Sequence, residues 1–318
     1  MNSRVHRLNT FDFPGVTAYV KREDELSFGI SGSKLRKYSS LLPYLLKQNV
    51  EEVVLAGGVY SNHILAMAQL LREKGIKITL FLGGRCPHKP MGNFIFISLI
   101  ISKEDIHFVP AGEEDAAAKA YTEVLQKENK RAFHIPLGAR MKESIPGALS
   151  LVYDLEKNEK ELGITFDHIF IDSGTGTTAV TTILGFAMLE KKTHFHVIQM
   201  ASTPERFENL ITLFRDEFPT IHAPLCYSLY KPLTARSFGS TNASVWKSIA
   251  HMARYEGIFV DPVYNAKLFA EGRKILRKGE IQGNILFIHS GGGFALAGFM
   301  EELGNILTKE VRCTYDEK

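Results

Sequence analysis

Short apolar and β-branched runs alternate with segments of helical pattern along this chain. VTAYVKRE (16–23), EEVVLAG (51–57), IKITLFLG (76–83), IHFVP (106–110), AFHIP (132–136), DHIFIDSG (167–174), HFHVIQM (194–200) and NILFIHS (284–290) read as strands. Between them, YSSLLPYLLK (38–47), SNHILAMAQLLREKG (61–75), MGNFIFISLIIS (91–102), EEDAAAKAYTEVLQKENK (113–130), GALSLVYDLEKNEKEL (147–162) and TTAVTTILGFAMLEKK (177–192) read as helices, with two more near 242–256 and 265–278. This alternation predicts βαβ units, a parallel sheet and right-handed crossovers. No repeat, low-complexity stretch or Gly/Ser/Pro linker divides the chain. The expected fold is therefore α/β, with two open twisted parallel sheets flanked by helices and one domain inserted into the other. Residues 1–37 and 149–318 would form the larger domain and 38–148 the smaller.

The bulk numbers fit that picture. A chain of 318 residues is long enough for about two domains. It is 45% hydrophobic and 23% charged, an ordinary globular balance. A net charge of +3 with spread-out lysines and arginines does not point to nucleic acid. Cys86, Cys226 and Cys313 are far apart and form no CxxC pair, which argues against a disulfide framework or a zinc site. MNSRVHRLNT is polar and does not read as a leader. The most apolar run, FIFISLIIS (94–102), is far short of the roughly 20 residues that span a bilayer. The expectation is a soluble, cytoplasmic protein.

Ligands of open α/β sheets sit at the C-terminal ends of strands. Three strand ends here carry small polar residues. In LAGGVYSNHILAMA (55–68), Ser61, Asn62 and His63 open a helix. They suit either plain capping or an anion site made of free backbone N–H groups. In IDSGTGTTAV (171–180), residues Gly174, Thr175, Gly176, Thr177 and Thr178 could cradle a phosphate or form a tight turn. The Walker lysine is missing and position 179 is alanine, so neither nucleotide fingerprint is complete. A Rossmann reading would also want an acid at a strand end about 20 residues on, and Glu190 falls on a helix. In LFIHSGGGFALAGF (286–299), Ser290 and three glycines follow a strand, for close packing or for a ligand shared with the other two turns. Finally, FGISGSKLRKY (28–38) places Lys34, Arg36 and Lys37 at the start of a helix. A helix N-terminus disfavours cations. A lysine, a phosphate cradle and a carboxylate-sized anion site together suggest pyridoxal 5′-phosphate, whose aldehyde condenses with lysine and whose ring is an electron sink.

Five motifs occur in order: KREDELSFGISGSKLRK (21–37), GGVYSNH (57–63), SGTGTT (173–178), EGIFVDPVYNAK (256–267) and ILFIHSGGGFAL (285–296). With them the chain resembles the 1-aminocyclopropane-1-carboxylate deaminase and D-cysteine desulfhydrase family, within the tryptophan synthase β-like, fold type II pyridoxal-phosphate enzymes. The resemblance runs from about residue 8 to 300. It implies a Schiff-base role for Lys34 and contact of Asn62 with the cofactor's 3′ oxygen. It further implies substrate carboxylate binding by Ser61, Asn62 and His63, phosphate binding by Gly174 to Thr178, a catalytic Tyr264 beside the ring, and Ser290 at the pyridine nitrogen. It also implies a homodimer.

Departures bear on the substrate. Asn265 and Ser290 stand where the resembled deaminases carry glutamate and leucine, and Ser290 matches the small hydroxyl residue of the desulfhydrases. A neutral partner at the ring nitrogen suits β-elimination, where the leaving group departs at once. Ser33 replaces an asparagine, Tyr60 a glutamine, and Phe238 in RSFGS (236–240) a second active-site tyrosine. The expectation is a lyase with Lys34, Ser61 and Tyr264 as catalytic residues and Ser61, Asn62, His63, Phe238 and Asn265 around a small amino-acid substrate. D-cysteine is the first candidate, releasing pyruvate, ammonia and hydrogen sulfide. The alternatives are a 1-aminocyclopropane-1-carboxylate deaminase, or a related lyase or racemase on another small amino acid. Arg36 and Lys37 read as ordinary surface residues.

Overall fold

A computed structural model describes residues 1–27, 32–218, 221–234 and 238–310, with side chains to residue 307. In chain order the elements are β1 (Val5–Arg7), β2 (Val16–Arg22), α1 (Lys34–Lys47), β3 (Glu52–Gly58), α2 (Asn62–Glu73), β4 (Lys77–Gly83) and α3 (Asn93–Ile100). Then come β5 (Ile106–Val109), α4 (Glu114–Lys127), β6 (Ala132–Ile135), α5 (Ile145–Leu162), β7 (His168–Ser173), α6 (Thr177–Met188), β8 (His194–Gln199) and α7 (Pro204–Arg215). The chain closes with β9 (Tyr227–Tyr230), α8 (Ala243–His251), α9 (Asn265–Leu276), β10 (Gly283–His289) and α10 (Met300–Glu310).

The strands form two sheets. One has six strands in the order β1-β2-β10-β7-β8-β9, the other four in the order β5-β4-β3-β6. All neighbours are parallel except β1, which runs antiparallel to β2 with Val5 opposite Lys21. That edge strand departs from the all-parallel expectation. It is three residues long, too short to show a pattern.

Successive side chains of a strand face opposite ways, and each sheet is covered on both sides accordingly. Ile169, Ile171, Leu286 and Ile288 pack towards α5, α6 and α7. Phe170, Ile285 and Phe287 pack towards α8 and α9. Phe287 stacks on Phe170 at 4.8 Å and on Phe269 at 5.3 Å, each pair contributing about 0.5–1.5 kcal/mol beyond area burial. In the smaller sheet, Val53 and Leu55 meet α1, α2 and α3, while Val54 and Ala56 meet α4. Among the described residues no helix is long and apolar enough to cross a membrane. Cys86 and Cys226 are free; Cys313 lies outside the described residues.

Arg36 overturns the surface reading, with 1% of its surface exposed. Its Nε donates to Glu23 Oε2 at 2.5 Å, and its Nη2 donates to Glu23 Oε1 at 2.7 Å and to Asp154 Oδ2 at 2.6 Å. Lys21 donates to the same Asp154 oxygen at 2.5 Å and to Asn158 Oδ1 at 2.5 Å. Two cations and two carboxylates thus cancel inside the protein. They tie the first turn of α1 to β2 and α5. Charges are tolerated at such depth only when paired.

Candidate active site

Lys34 is the first residue of α1, and no side chain caps that helix. Its turn is fixed by contact with the turn after β10. The Ser33 N–H donates to the Ser290 carbonyl at 2.9 Å. Gly32 and Gly291 have φ of +51° and +87°. A Cβ on Gly32 would fall 2.3 Å from the Ser290 carbonyl oxygen, so the approach requires glycine. Close packing, one of the readings open for the glycine triplet, is therefore part of its role. The rest of the turn, residues 28–31, lies outside the described residues. Lys34 Nζ stands 6.0 Å from the Tyr264 ring centroid. Burial holds its pKa below the ordinary lysine value, against the opposing pull of Asp172 and Asp261. A neutral amine is nucleophilic, and the helix N-terminus also disfavours its charge.

Lys37, one turn along, is 4% exposed and faces the same way. Its Nζ donates to the Gly138 carbonyl at 2.9 Å. The same carbonyl accepts from Thr177 Oγ1 at 3.2 Å. A Cβ on Gly138 would lie 2.0 Å from Thr175 Oγ1, so the turn after β6 is pressed against the turn after β7. There Gly176, with φ +93°, starts α6 and leaves the N–H groups of its first turn without intrahelical partners. The Ser173 hydroxyl is buried and has no partner among the described residues. Burial, then the charge of Lys34, pushes Lys37 down to about 7. A phosphate set here would restore the charge of Lys37 and occupy these donors. The residues fit such a group.

At the end of β3, Ser61 caps α2, its hydroxyl accepting from the Ile64 N–H at 3.3 Å. Capping, the plainer of its two readings, is the geometry observed. The first-turn N–H groups of α2 remain for an anion. Asn62 Oδ1 accepts from Asn93 Nδ2 at 2.6 Å, which leaves Asn62 Nδ2 as a donor directed at Gly292, where a Cβ would fall 2.7 Å away. His63 turns inward, with its Nδ1 hydrogen-bonded to Tyr38 and its Nε2 buried without a partner among the described residues. Burial, then Lys37 and Lys34, pushes its pKa down to about 3, so it is neutral.

Tyr264 closes the cluster. A Cβ on Gly174 would fall 3.2 Å from its ring, and Phe238 meets it edge-on at 5.8 Å. Arg236 and Ser237 of the same loop lie outside the described residues. Burial, then Asp172 and Asp261, hold the Tyr264 phenol protonated. Asn265 was expected at the substrate but is 0% exposed. Its Nδ2 donates to Asp261 Oδ1 at 2.7 Å and to the Gly291 carbonyl at 2.8 Å, and its Oδ1 accepts from the Ser290 N–H at 3.0 Å. It staples the Ser290 turn instead of facing a ligand.

Lys34, Tyr264, Gly174 and the Ser290 turn thus lie together, with Asn62 against Gly292 of that turn. Lys37 was read as a surface residue and is buried instead; its i, i+3 spacing from Lys34 could have shown that the two share a face. Asp172, which acts on Lys34, was not singled out. A lone acid ending the apolar run HIFI could have drawn attention to Asp172.

A family model described as pyridoxal-phosphate dependent enzyme matches residues 2–291. A putative 1-aminocyclopropane-1-carboxylate deaminase of Pyrococcus abyssi is 28% identical over 298 residues, 92% of this chain and 89% of the relative. A 1-aminocyclopropane-1-carboxylate deaminase of Methylobacterium nodulans is 28% identical over 324 residues, 93% of each chain. The crystal structure of a homologue of that deaminase superposes with a TM-score of 0.85 at 25% identity, covering 96% of this chain and 94% of the other.

Proposed function

We infer the function from one premise: this chain belongs to the pyridoxal-phosphate dependent enzyme family, whose model spans residues 2–291. It is a lyase or deaminase of that family. We propose that it acts on a small amino acid, with 1-aminocyclopropane-1-carboxylate as first candidate. The observation that carries the reading is the placement of Lys34 Nζ 6.0 Å from the Tyr264 ring, with Lys37 and the Gly174–Thr178 turn at the other end of the cleft.

Lys34 would anchor the cofactor, Lys37 and the Gly174–Thr178 turn its phosphate, Asn62 its ring oxygen and Ser290 its ring nitrogen. When bound, the cofactor supplies an electron sink for negative charge developing on the substrate's α-carbon. The N–H groups that open α2 at Asn62 and His63 orient the substrate carboxylate by the helix dipole. Lys34 Nζ, its charge disfavoured by burial, takes or returns a proton beside that carbon. The protonated Tyr264 phenol is a donor on the facing side. Phe238, 57% exposed, forms an apolar wall at the mouth, and residues 38–148 form the inserted domain that covers the cleft.

The names of the relatives favour the deaminase, which the sequence reading placed second. The case for D-cysteine rested on neutral residues at 265 and 290. Asn265 no longer bears on it, because its amide holds backbone. A neutral Ser290 still favours β-elimination, so D-cysteine is the second reading. Incubation with each amino acid separates them. The deaminase yields 2-oxobutanoate and ammonia from 1-aminocyclopropane-1-carboxylate. Pyruvate, ammonia and sulfide from D-cysteine alone would reverse the order.

A further inference from the structure

Two carboxylates act on Lys34: Asp172 and Asp261. Those of Asp261 are fully engaged. Its oxygens accept from the N–H groups of Val263, Tyr264 and Asn265 at 2.8–3.0 Å and from Asn265 Nδ2. Asp172 is different. It ends β7, just before the phosphate-type turn, and its Oδ1 is buried with no hydrogen-bond partner among the described residues. Parallel pairing sets Phe170 level with Phe287. Continued two residues beyond its last pair, that register would put Asp172 level with His289, immediately before Ser290, on the face that Phe170 presents to α9. The groups facing it are the Ser290 side chain, Lys34, Asp261 and His289, together with Tyr264.

We infer that Asp172, acting through the Ser290 hydroxyl, is the positioning acid that keeps the cofactor's ring nitrogen protonated in this enzyme. The inference rests on the cofactor seating proposed above. A serine hydroxyl alone does not give up a proton to a pyridine nitrogen; with a carboxylic acid behind it, it does so by exchange. Ser290 would pass its proton to the ring nitrogen and take one from Asp172, so that the restored hydroxyl would lie between a carboxylate and a pyridinium. Burial raises the affinity of Asp172 for a proton, against Ser290 and Lys34. An acidic partner at the pyridinium nitrogen strengthens the electron sink. This chain thus supplies from β7 the acid that position 265 lacks, and the site is equipped to open a strained ring as well as to eliminate a thiol.

The test reads the nitrogen itself. Holoenzyme is reconstituted with cofactor labelled with ¹⁵N in the ring, and its ¹⁵N NMR shift is compared among wild type, Asp172→Asn, Asp172→Glu and Ser290→Ala. Wild type and Asp172→Glu should show the pyridinium shift. Asp172→Asn and Ser290→Ala should lose it for that of neutral pyridine while borohydride still fixes the cofactor to Lys34. Asp172→Ser, smaller and neutral, gives the same comparison if the asparagine variant does not fold. A neutral-pyridine shift in wild type, or a pyridinium shift that survives in Asp172→Asn or Asp172→Ser, overturns the inference and leaves the cofactor seating intact. Failure of borohydride to fix cofactor on Lys34 in wild type overturns the seating instead.

Discussion

Replacing Arg36 with methionine keeps the volume of the side chain and removes one cation from a neutral buried cluster. Glu23, 0% exposed, loses both its short bonds to the guanidinium, and Asp154 keeps only Lys21 and the Ser3 N–H. Breaking a buried ion pair from one side costs about 3–5 kcal/mol. Glu23 keeps only the Ser3 hydroxyl among the described residues, a neutral donor that does not cancel its charge. Urea unfolding of wild type and Arg36→Met at pH 7 should show a loss of that size. A difference below about 1 kcal/mol is the behaviour of an exposed pair and would refute the buried-cluster reading.

Lys37→Met should weaken cofactor binding by about ten- to a hundredfold, the loss of one charge-assisted hydrogen bond of roughly 1.5–3 kcal/mol. Titration of the apoenzyme followed by absorbance reads it, and an unchanged Kd would remove Lys37 from the phosphate end. His168, His194 and His196 form a ladder across β7 and β8, with His196 Nδ1 on the Tyr230 hydroxyl at 3.0 Å. Burial, then His194 and His168, pushes His196 down to about 3. Its folded pKa is depressed, so the unfolded state binds the extra proton below about pH 6.5, and stability falls as pH drops from there towards 3. His196→Phe should flatten that acid slope by about 1.4 kcal/mol per unit in urea unfolding; an unaltered slope would mean that His196 takes up its proton in the folded protein.

The strands and most helices were legible because each carries its own period. Val16–Arg22 and Glu52–Gly58 differ from the expected bounds by one residue. β1 and β9, with three and four residues, are too short to show a pattern. α7 was missed although Thr203 caps it and Pro204 opens it, a start signal that needs no tertiary context. The site was legible as three glycine-rich strand ends plus a lysine. What was not legible is what each side chain meets across the fold. Arg36 is buried because Asp154 comes to it from 118 residues away. Asn265 serves the backbone because the β10 turn folds onto α9. The role inferred for Asp172 depends on Ser290, which only the fold brings near it.

The role of Lys34 is tested most directly by reconstituting the purified protein with pyridoxal 5′-phosphate, reducing it with borohydride, and mapping the label by peptide mass spectrometry. A visible absorption band that vanishes on reduction, with the added mass on Lys34 alone, is the predicted result. Label on another lysine, or an equally strong reducible band in Lys34→Ala, would contradict it.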